Sequence, residues 1–198
     1  MSLDAEMVKQ LRDITGAGFL DCKKALIETE GNLDKACELL KQKGLTQALK
    51  KMARETKSGI IEAYIHHDKQ VGVMLELNCE TDFVARTDEF RSLAKEISLQ
   101  ITAMNPVYIS RDDVPVEEVK KEKEIFETQA RASGKPAQVI EKIALGKLED
   151  YFKNICLLEQ PYVKDSTKKV LDLIKDVITK TGENVTIRKF IRMKVNED

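Results

Sequence analysis

Between residues 4 and 44, apolar side chains recur three and four positions apart in three short runs. These are Val8, Leu11 and Ile14; Cys22, Ala25 and Leu26; and Leu33, Ala36, Cys37 and Leu40. The spacing puts each run on one helical face and predicts three short helices, with stripes narrow enough for a small bundle. Gly16 and Gly18 divide the first helix from the second, and Gly31-Asn32 divides the second from the third, with Asn32 as N-cap and Gly44 as the stop. A module of about 40 residues is marginal on its own, so this one is expected to rely on rigid packing and to serve as a docking surface.

From Gly59 the period changes to two. Ile61, Ala63 and Ile65 alternate with Ile60, Glu62 and Tyr64, and Val71, Val73, Leu75 and Leu77 follow, which predicts two strands joined through His66–Gln70. Phe90, Leu93, Ala94, Ile97 and Ile101 return to helical spacing until Asn105-Pro106. Pro115 opens a helix with a thin stripe (Val116, Val119, Phe126, Ala130), and Gly134-Lys135-Pro136 breaks it. Ile140, Ala144, Leu148, Phe152 and Ile155 then mark a long amphipathic helix, and Val170, Ile174, Val177 and Ile178 a last one that stops near Gly182. Val185–Val195 closes the chain as a third strand, with Val185, Ile187, Lys189, Ile191 and Met193 opposite Arg188, Phe190 and Arg192. Helices gathered between the second and third strands imply an α+β layer, not repeated βαβ units. The expected division is a three-helix module with a basic linker over residues 1–54, followed by an α+β core over 55–198 with a three-stranded antiparallel sheet.

Composition narrows the function. The 33 basic and 34 acidic residues nearly cancel, so no overall field draws polyanions. Lys41, Lys43, Lys50, Lys51, Arg54 and Lys57 do form a local basic run, the starting point for an alternative in which the chain is an adaptor binding RNA or ribosome. No aromatic is interleaved there to stack on bases. The four cysteines are dispersed and read as reduced thiols of a cytoplasmic protein. No apolar run approaches the roughly 18 residues of a membrane span. A phosphate-binding loop is missing, so the chain is not expected to bind nucleotide itself. His66 and His67, adjacent on the chain, lack a metal-ligand spacing, and carboxylates beside Cys79 oppose thiolate formation. Neither a cofactor nor a catalytic residue is expected.

The remaining signal is Glu76-Leu77-Asn78-Cys79-Glu80-Thr81-Asp82-Phe83-Val84-Ala85-Arg86, where the strand pattern gives way to a helix pattern and Phe83 falls in a loop. By pattern alone Phe83 either plugs its own core or stands outward as an anchor for a partner's pocket. This stretch closely resembles the signature of the elongation factor Ts family. A second family motif reads here as Leu11-Arg12-Asp13-Ile14-Thr15-Gly16-Ala17-Gly18, continuing through Phe19-Leu20-Asp21-Cys22-Lys23-Lys24-Ala25-Leu26. The likeness extends from about Val8 to Val195.

That resemblance implies a guanine-nucleotide exchange factor for the GTPase elongation factor Tu, working by protein contact and not as an enzyme. The helical module, similar to a ubiquitin-associated domain, would dock through Leu11, Arg12, Gly16, Gly18, Lys23 and Lys24. Asp82 and Phe83, flanked by Thr81, Val84 and Arg86, would reach the Mg²⁺ and phosphate region, with Phe83 as a wedge. Longer relatives present two related core layers where this chain has one, which implies a homodimer. Ile60, Tyr64 and Phe190, opposite the residues taken as inward, are the expected open face of the sheet.

Overall fold

The computed structural model describes residues 5–15, 17–134 and 136–197. Gly16 and Lys135, both assigned to helix breaks from sequence, lie outside the described residues. Two compact units emerge, each assembled from separated stretches. The first takes Met1–Gly59, Asn78–Phe90 and Ile174–Thr186; the second takes Ile60–Leu77, Arg91–Leu173 and Ile187–Asp198.

In the first unit, helices α1 (Ala5–Thr15), α2 (Phe19–Glu28) and α3 (Leu33–Lys51) form the expected module. Val8, Leu11, Cys22, Ala25, Leu26, Ala36 and Leu40 make its core. Asn32 caps α3, its side chain accepting from the Lys35 N–H at 3.0 Å. Ile14 departs from its stripe and is 62% exposed. Gly44 does not stop α3, which runs on through Lys51. Its lack of a side chain serves a close approach instead. A Cβ there would meet Thr179 Cγ2 at 2.6 Å, well inside van der Waals contact, so the glycine lets α3 come close to the last helix, α8 (Val170–Thr181).

This packing gives a direct test. Gly44→Ala is expected to destabilise the protein by about 1–3 kcal/mol through overpacking, offset in part by the roughly 1 kcal/mol that Ala gains over Gly inside a helix. Adding Thr179→Ala removes the obstruction and is expected to return the denaturant midpoint to that of the parent chain or above. An equal loss in the double variant would contradict the proposed approach.

Most of the antiparallel sheet falls in the second unit, in the order β1 (Ser58–Ile65), β2 (Val71–Cys79), β5 (Val185–Lys194). Val73, Leu75 and Leu77 of β2 are buried. So are Leu93, Ala94, Ile97 and Ile101 on α5 (Asp88–Met104), as their spacing predicted. The faces of β1 are reversed from expectation. Ile60 and Tyr64 are half-buried, whereas Ile61 and Ile65 are 67% and 70% exposed. Met74, Ile191 and Met193 are exposed as well, and Ile61, Met74 and Ile191 line one shallow depression with Phe190. Alternation identifies two faces but not which is covered, and β1 carries isoleucine on both.

Helices α6 (Val116–Ala132) and α7 (Ala137–Ile155) pack against each other. At their base Val114, Leu148, Phe152 and Cys156 form a small core. The hydroxyls of Tyr108 and Tyr151 both donate to Glu118, at 2.7 and 2.6 Å, and hold its carboxyl below the usual range. Arg111 lies 4.8 Å over the Phe152 ring and pairs with Glu149 and Glu159. A short ribbon of β3 (Pro161–Tyr162) and β4 (Asp165–Lys169) was not foreseen. Its polar sequence has no apolar alternation. No helix among the described residues is long and apolar enough to cross a membrane.

Candidate functional site

The signature stretch leaves β2 at Cys79 and turns at once into α4 (Asp82–Ala85), a single helical turn and not the expected loop. Thr81 is its N-cap, extended in backbone, with its hydroxyl oxygen 3.5 Å from the Val84 N–H. Val84 and Ala85 face inward and are buried. The period of the turn therefore aims Asp82, Phe83 and Arg86 outward, and Phe83 is 78% exposed. Asp82 and Arg86, four residues apart and both exposed, pair at 2.7 Å. At such exposure the pair contributes about 0–1 kcal/mol, so a competing partner charge can open it at little cost.

The turn is fixed by residues a hundred positions later in the chain. Glu183 accepts the Thr81 N–H at 3.0 Å with one carboxylate oxygen and the Thr81 hydroxyl at 2.7 Å with the other. Glu80 returns the bond, accepting the Asn184 N–H at 2.7 Å. Asn184, fully buried, donates its side-chain amide to the carbonyls of Met52 and Arg54, at 3.2 and 2.6 Å. These residues follow the last turn of α3, where backbone carbonyls run out of helical partners. Arg54 also pairs with Glu80 at 3.6 Å. Gly182, at φ +79°, occupies the left-handed region and reverses the chain between α8 and this corner.

Cys79 is buried behind the turn, donating to the Thr81 carbonyl at 3.0 Å. Burial first, and then the Glu183 charge, push its thiol up to about 11. It is therefore a protonated, packed thiol at neutral pH. Among the described residues no cluster of His, Cys, Asp or Glu could hold a metal ion.

In the helical module, Arg12, Gly18, Lys23 and Lys24 are exposed, while Leu11 is 0% exposed and packed in the core. Leu11 is thus enclosed and presents no surface for direct contact. Three apolar neighbours, Ile14, Phe19 and Leu20, are exposed alongside these polar groups. Sequence reasoning gave Phe19 and Leu20 no role, although adjacent apolar residues at a helix start carry a surface signal when neither fits the buried stripe. It also missed Glu183 and Asn184. A Gly-Glu-Asn run after a helix reads as a solvated turn, and no local pattern reveals its distant partners.

Comparison with known proteins gives first the class, that of translation elongation factors. The family model described as Elongation factor TS matches residues 34–197. Elongation factor Ts of Thermodesulfovibrio yellowstonii is 55% identical over 197 residues, covering 100% of this chain and 98% of that relative. Those of Fervidobacterium nodosum and Coprothermobacter proteolyticus are 51% and 53% identical, each aligned over the full length of both chains. The chain belongs to the elongation factor Ts family. The family model begins within α3, but the relatives also cover the module that carries the Leu11–Leu26 motif.

Proposed function

We propose that this chain is a guanine-nucleotide exchange factor that promotes GDP release from elongation factor Tu by inserting Asp82 and Phe83 near that GTPase's Mg²⁺ and phosphate site. The observation that carries the reading is the Phe83 ring, a large apolar group held outward on a braced turn within the signature stretch. Buried aromatic anchors dominate interface energetics, and an aromatic displayed on a rigid element loses little freedom on docking. The helical module supplies a second contact through Arg12, Lys23 and Lys24, with Ile14, Phe19 and Leu20 beside them.

Insertion would act through electrostatics. The diphosphate is held by charge neutralisation from Mg²⁺ and the surrounding phosphate-binding groups. Displacing the elements that position the ion weakens GDP binding without any covalent chemistry in this chain. Coupling is reciprocal, so GDP lowers the affinity of the exchange factor by the same factor. No preference for GTP is required, since an excess of GTP in the cytoplasm sets the direction. The chain itself binds no nucleotide, nucleic acid or membrane in this reading. Release of labelled GDP from elongation factor Tu tests it: the full chain is expected to accelerate release at catalytic amounts, and an unchanged rate overturns it.

The functional form in this proposal is a homodimer. Its support is the apolar face of the sheet (Ile61, Ile65, Met74, Ile191 and Met193), of a kind that is uncommon on a monomer. A twofold pairing of two such faces would make a double layer with a self-complementary interface. Light scattering at micromolar concentration is expected to give twice the chain mass, falling to the single-chain mass in Ile61→Asp. A single-chain mass that persists as concentration rises excludes the dimer.

A further inference from the structure

We propose that the corner Gly182–Glu183–Asn184 is a positioning device for exchange, with Glu183 the positioning residue that sets where Phe83 stands relative to the docking helices; this rests on the wedge reading of Phe83. The exchange turn cannot set its own geometry. A four-residue helix has too few internal hydrogen bonds to offset its ordering, and the Asp82–Arg86 pair is solvent-exposed. The exposed Phe83 ring gains no comparable support from packing. What fixes the turn is the two-pronged carboxylate of Glu183 on the Thr81 N–H and hydroxyl. Charge-assisted, paired hydrogen bonds of this kind are directional and strong.

The same corner also reaches the helical module. Asn184 donates its backbone N–H to Glu80 and its side-chain amide to the Met52 and Arg54 carbonyls. The end of α3, the start of the exchange turn and the end of α8 thus meet at two adjacent residues. A partner that docks on the module therefore meets Phe83 at a fixed offset, and docking energy is not spent on ordering the wedge. Exchange depends on that offset because ångström-scale misplacement of an inserted group can cost rate steeply, up to about a hundredfold. The corner touches neither nucleotide nor partner in this scheme. It acts through Thr81, whose hydroxyl and N–H are turned inward to Glu183.

The test separates rate from affinity. With elongation factor Tu carrying labelled GDP and the full chain titrated over it, Glu183→Ala is expected to lower the maximal release rate about tenfold or more. The half-saturating concentration is expected to change less than about threefold, since docking through the module survives. Thr81→Val, nearly isosteric, is expected to reproduce part of the loss. Adding it to Glu183→Ala is expected to cost much less than its effect in the parent chain, because the two act through one bond. Glu183→Gln, which can still accept the Thr81 N–H, is expected to restore part of the rate. Hydrogen exchange at the Thr81 amide is expected to speed up in Glu183→Ala while amides of α2 keep their protection.

An unchanged maximal rate in Glu183→Ala, with Phe83→Ala still crippled, overturns the positioning role and leaves the wedge reading standing. Strict additivity of the Thr81 and Glu183 effects also overturns it, as does a fall in rate that only tracks the folded fraction. An unchanged rate in Phe83→Ala instead removes the wedge reading, and the positioning role falls with it.

Discussion

Phe83→Ala is expected to lower the maximal rate of GDP release from elongation factor Tu by about 30-fold or more, the equivalent of losing a 2 kcal/mol anchor. Its unfolding free energy is expected to stay within about 0.5 kcal/mol of the parent chain. The two expectations come from the same geometry. The ring is exposed, so truncation leaves no cavity, and the buried residues beside it, Val84 and Ala85, are untouched. Had Phe83 filled its own core, truncation would cost about 3–5 kcal/mol. Thermal melts beside exchange assays distinguish the cases: a loss of exchange with a large fall in melting temperature returns Phe83 to a structural role.

Leu11→Ala is expected to have the largest effect on stability, a loss of about 2–5 kcal/mol from the helical module through the cavity it leaves. The side chain is fully enclosed by the cluster that includes Val8, Cys22, Leu26, Ala36 and Leu40. A three-helix module of this size has little stability in reserve, so α1 and α2 are expected to lose their order. Circular dichroism is expected to record a fall in helix content, and the half-saturating concentration in the exchange assay is expected to rise. Arg12→Ala, one residue on but exposed, is expected to weaken docking with no change in the melt. If both variants kept full helicity and lost affinity equally, Leu11 would be a direct contact after all.

Much of the fold was legible because burial follows period. The stripes of α2, α5 and α8 appear in the structure where the spacing put them, and the Asn32 cap and the Gly182 stop are both present. The misreadings share a physical origin. Gly44 looks like a punctuation mark from its own neighbourhood, yet the reason for it lies at Thr179, on another helix. Ile60 and Ile61 are equally apolar, so only the tertiary structure decides which is covered. At the candidate site the exposed turn was legible through resemblance to a family, and its brace was not. Glu183 carries no local signature, and its partner Thr81 lies 102 residues away in sequence.

That separation also matters for the order of synthesis. The first unit draws on three stretches of chain, the last of them ending at Thr186. A growing chain exposes the signature long before Glu183 and Asn184 have been made. At roughly 5–20 residues per second, the 102-residue interval between Thr81 and Glu183 lasts on the order of 5–20 s. During that time the signature turn lacks its brace and α3 lacks its terminal partner. A chain that ends before Glu183 therefore carries the signature turn without its brace.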